Sequence, residues 1–66
     1  MSTSIQEIIE NTVELDYNRQ RVEELTEQLG ELTAQPEDDE ERQILLDEIK
    51  DYRQTINELI KEGEKL

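Results

Sequence analysis

The side chains in this chain that could do chemistry are almost all carboxylates. Nineteen of 66 residues are Asp or Glu, against seven Lys or Arg, and the formal net charge is -12. Paired carboxylates can serve as acid and base when a pocket drives their pKa values apart. The chain has no His and no Cys, so the commonest general base, the thiol nucleophile and the usual zinc ligands are missing. Gly30 and Gly63 are the only glycines, too few for a loop that cradles phosphate. Catalytic residues: none are expected, and the chain reads as a non-enzyme. No cofactor is expected either.

Glu37-Asp38-Asp39-Glu40-Glu41 is a run of five acids. It lacks the alternating ligands and central Gly of a calcium loop. It reads as a charge cluster at a helix start, where carboxylates complement the helix dipole, and no metal site is assigned. Of the two aromatics, Tyr52 falls on a predicted core position, whereas Tyr17 lies outside it as a candidate contact residue.

The elements that position these groups follow from punctuation and period. Ile, Leu and Val make up 17 of 66 residues, above the level at which high charge usually means disorder. Ser4-Ile5-Gln6-Glu7 fits a capping box. Pro36 disfavours helix at Gln35 and suits the first position of a new helix. Gly30 either sits inside helix 1 or marks its end. The expectation is all-α: a two-helix antiparallel hairpin over residues 1–66, with helix 1 about 4–33, a turn about 34–36 and helix 2 about 36–63.

A heptad register sharpens this. Ile8, Leu15, Val22 and Leu29 recur at position a, and Asn11, Asn18, Leu25 and Leu32 at position d. In helix 2, Arg42, Ile49, Ile56 and Gly63 take a, and Leu45, Tyr52, Leu59 and Leu66 take d. Antiparallel pairing then brings together Leu29 with Leu45, Leu25 with Ile49, Val22 with Tyr52, Asn18 with Ile56, Leu15 with Leu59 and Ile8 with Leu66. The centre of this series falls in the predicted turn, so pattern and punctuation agree. Asn18 is expected to bond across the seam or to water.

Further apolar residues lie outside the seam. Ile5, Leu46 and Ile60 occupy e positions, and Ile9, Val13 and Tyr17 continue from Ile5 at i, i+4 spacing. An isolated hairpin would leave these exposed, which marks an interface. The register also sets Arg19 near Arg53 and Glu14 near Glu62, like charges that a second chain could relieve. The expectation is a homodimer forming a four-helix bundle, with Arg19 and Arg53 as dimer charge contacts.

The partner surfaces read from the sequence are therefore two. One is an apolar flank of Ile5, Ile9, Val13, Tyr17, Leu46 and Ile60. The other is an acidic face of Glu48, Asp51, Glu58 and Glu62. An acidic surface repels nucleic acid and anionic lipid, so neither is expected as a direct partner. The favoured partner is a protein, with a basic nucleic-acid-binding protein as one candidate. The function expected is an acidic protein-binding module, a regulator or inhibitor, with mimicry of nucleic-acid charge as one route. The alternative is a small structural or assembly component, an adaptor or scaffolding coiled coil. Met1-Ser2-Thr3-Ser4 lacks the features of a signal peptide and no apolar stretch is long enough to span a bilayer, so a cytoplasmic location is the default.

Overall fold

The computed structural model describes residues 4–32 and 36–66. Helix α1 runs over Ile5–Glu31 and helix α2 over Asp39–Lys65, preceded by a 3-10 turn at Pro36–Asp38. The two helices pack antiparallel as a hairpin, and no strand occurs among the described residues. At 27 residues each, the helices are about 40 Å long. The molecule measures 55 × 14 × 11 Å, with a radius of gyration of 15.7 Å. A compact domain of this length would have about 11 Å, so the hairpin is a rod.

Local chemistry sets the ends. Ser4 is extended, and its Oγ accepts a hydrogen bond from the Glu7 N–H at 3.2 Å, which fills one of the free donors at the start of α1. At the other end Leu32 leaves helical geometry (φ -73°, ψ 142°), while its N–H still reaches the Leu29 carbonyl. Gly30 lies inside α1, and a Cβ there would meet nothing within 4 Å. The turn expected at Ala34 and Gln35 lies outside the described residues. Pro36 does not open α2 as its first residue. It opens the 3-10 turn, and α2 begins three residues later with Asp39, Glu40 and Glu41 in its first turn. Tightening of a helix end into 3-10 geometry is common where the chain enters from a short connection.

The seam follows the heptad positions. Leu25 is only 2% exposed and packs with buried Leu45 and Ile49, flanked by Val22, Leu29, Leu32 and Tyr52. These are the residues that the register pairs, and they fill the half of the rod next to the turn. Leu59 is buried in the other half. Farther along, Ile8 and Leu66 are 46% and 40% exposed, so the last predicted layer stands open to solvent.

The two seam amides behave differently. Asn11 Nδ2 donates to the Leu59 carbonyl across the seam at 2.9 Å. A Cβ on Gly63 would come within 3.0 Å of Asn11 Oδ1, so glycine lets the helices approach at this layer. Asn18 is 8% exposed, and among the described residues its amide makes no bond across the seam. Its Nδ2 donates to the Glu14 carbonyl one turn back in its own helix, at 2.7 Å. A carbonyl one turn back is within easy reach of a short amide on a helix, and the side chain of Ile56, its partner in the register, offers no acceptor.

Candidate interaction surface

In an antiparallel pair, e positions of one helix flank e positions of the other, and g positions flank g. The hairpin therefore has two sides, and their chemistry differs. Positions g and c carry Glu7, Glu10, Glu14, Glu24, Glu31, Glu41, Glu48, Asp51, Glu58 and Glu62, with Arg21 and Lys65 as the only bases. Positions e and b carry Asp16, Glu23, Asp39 and Glu64 against Arg19, Lys50 and Arg53. One flank is strongly acidic and the other is close to neutral.

Surface grooves follow the same division. On the acidic flank, Asn18, Arg21, Glu48, Asp51, Tyr52 and Thr55 line one groove, and Glu7, Glu10, Asn11, Glu14, Glu62, Lys65 and Leu66 line another toward the open end. The second groove holds Glu14 and Glu62 together. On the neutral flank, Leu46, Ile49, Lys50, Arg53, Gln54 and Asn57 line a shallow groove of about 370 Å³.

Arg21 is a feature that the sequence reading passed over. Its guanidinium sits 5.8 Å from the centre of the Tyr52 ring and pairs with Glu24 at 2.6 Å. Hydrogen bonding to Tyr52, and then to Glu24, raises its pKa above the ordinary arginine value. Its charge is therefore kept at any working pH. It covers the half-buried Tyr52 from the acidic side. The available signals were its g position beside the Val22–Tyr52 layer and the acid three residues on. Arg42 pairs with Asp39 at 2.7 Å, also within one helix. Arg19 and Arg53 are exposed and form no ion pair among the described residues.

All six residues of the predicted apolar flank are exposed, Ile5 at 75% and Tyr17 at 57%. They do not share one surface. Each i, i+4 step turns about 40° around a helix, so the series from Ile5 spirals away from the seam. Ile5 and Ile9 stay with Leu46 and Ile60 on the neutral flank. Val13 reaches the outer face, and Tyr17 arrives on the acidic flank, where Ile44 is also exposed. The predicted acidic residues Glu48, Asp51, Glu58 and Glu62 all lie on the acidic flank and are exposed.

Among the described residues, no three Asp or Glu side chains converge to hold a metal ion, and no helix is long and apolar enough to cross a membrane. What the arrangement offers is a long, narrow surface of one charge sign, backed by a second surface of mixed charge with apolar side chains. Compared with protein-family models, curated proteins and solved structures, the chain shows no significant match.

Proposed function

We propose that this chain is a non-enzymatic, cytoplasmic protein-binding module, working as a dimer of hairpins in a four-helix bundle, that regulates or inhibits a basic partner protein. The observation that supports this most is the segregation of charge onto one flank of a straight rod. A charge of -12 over 55 Å is about one per 5 Å. Two chains side by side halve that spacing and approach the one charge per roughly 1.7 Å of duplex DNA. A rod of that kind suits a basic groove that otherwise holds nucleic acid, and its occupancy there excludes the nucleic acid. Tyr17 and Ile44 add apolar contacts within the acidic flank, of the type that anchors an interface.

Salt decides the reading. The chain is immobilised, exposed to lysate of its source cells, and washed at low and then high ionic strength, with retained proteins identified by mass spectrometry. The expected result is a basic nucleic-acid-binding protein that is lost at high salt and that duplex DNA displaces. A partner held equally at both salts, and indifferent to DNA, refutes charge mimicry.

A further inference from the structure

We infer that the neutral flank is where a second copy of this chain packs, with both acidic flanks left facing outward. This rests on the reading of the protein as a dimer and assigns the face through which it dimerises. Ile5, Leu46 and Ile60 sit at e positions directly beside the seam and are exposed. Burying e along with a and d widens the apolar stripe to that of a helix in a bundle, broader than a two-stranded seam requires. Beside Leu46 the groove floor is Ile49, a residue of the core cluster. An apolar side chain entering there extends the existing core without opening a separate contact.

Charge selects the same face. Two chains of -12 repel wherever their acidic flanks meet. On the neutral flank, Arg19, Lys50 and Arg53 alternate with Asp16 and Glu23. A second copy brings acids to these bases, and its bases to these acids, as an isologous contact requires.

The chain has no Cys, so single labels can be placed at will. Thr55 and Asn57 are neighbours on α2 that line opposite flanks. A nitroxide at Asn57→Cys should be immobilised as the protein associates at tens of micromolar, and one at Thr55→Cys should remain mobile. Sedimentation of the wild type should give a dimer. Leu46→Asp with Ile60→Asp should weaken it about 100-fold or more at unchanged helicity, whereas Ile44→Asp on the acidic flank should leave it intact. A wild-type monomer, or an assembly larger than a dimer, overturns both the dimer and this face. A dimer that immobilises the label at Thr55 instead, or survives the flank pair, overturns the face and leaves the dimer standing.

Discussion

The two flanks of the hairpin are built on the same seam, by the same two helices, and share almost no chemistry. On the acidic side, Glu48, Asp51, Glu58 and Glu62 share a flank with only two bases, Lys65 and Arg21, and the Arg21 guanidinium pairs with Glu24 and covers Tyr52. The other side carries Arg19, Lys50 and Arg53 among acids, with Ile60 and Leu46 exposed between them. A chain under pressure only to stay soluble has no need to sort its charges this way. The difference teaches that one seam can carry two chemically distinct surfaces, the acidic one proposed here for a cation-rich partner and the neutral one for a second copy.

The largest expected effect breaks both flanks at once, by removing the seam they share. Leu25 is the most buried side chain in the closed half. Leu25→Ala should cost about 3 kcal/mol through lost burial and the cavity left behind. In so small a fold that is most of the stability. Circular dichroism should show cooperative helix loss at a much lower temperature, with self-association and partner binding lost together.

Next comes a change that separates the flanks. Neutralising Glu48, Asp51, Glu58 and Glu62 together should weaken binding of a basic partner by roughly 2 kcal/mol, about 30-fold in Kd. It should leave self-association in place or strengthen it. Calorimetric titration in parallel with sedimentation reads both. Equal losses in the two assays would mean that one surface serves both contacts.

Smaller effects sharpen the account of the seam beneath. Among the described residues Asn18 makes no bond across the seam, and the register pairs it with Ile56, so Asn18→Leu should stabilise the hairpin by about 1 kcal/mol, measured by thermal melting. The same change at Asn11 should destabilise it. Asn11 holds the Leu59 carbonyl across the seam, and Gly63 lies too close for a branched side chain. The smallest effect is Gly30→Ala. With open space around that Cα, the gain in helix propensity should raise stability by at most about 1 kcal/mol, with neither flank affected.

The seam was legible because a heptad pattern and a proline agreed on one register. Leu25, Leu45 and Ile49 follow from that agreement, whereas the close approach of Asn11 to Gly63 emerged only from the structure. What stayed illegible depends on choices at the level of one rotamer or one turn. The amide of Asn18 could reach across or back, and the local carbonyl of Glu14 took it. The residues Pro36–Asp38 could start α2 or precede it, and the tighter turn prevailed. Tyr17 looked continuous with Ile5 and Ile9 because i, i+4 spacing reads as a straight line in sequence, while on the helix it precesses to the opposite flank. The sorting of charge between flanks was present in the sequence too. It becomes visible only when both helices are placed in one antiparallel register and their e and g positions are compared.

The measurement that tests the division of the two flanks most directly is sedimentation equilibrium of the protein mixed with a lysine-rich peptide, as salt rises from about 0.02 to 0.5 M, across which screening shortens from roughly 20 Å to a few ångströms. The proposed contact on the neutral flank rests mainly on apolar burial, and salt screens the long-range repulsion of two -12 chains along with the few ion pairs, so the dimer should hold with salt. Contact on the acidic flank is charge-driven, so the peptide complex should dissolve over the same range. A dimer that weakens in step with the peptide complex would contradict the account.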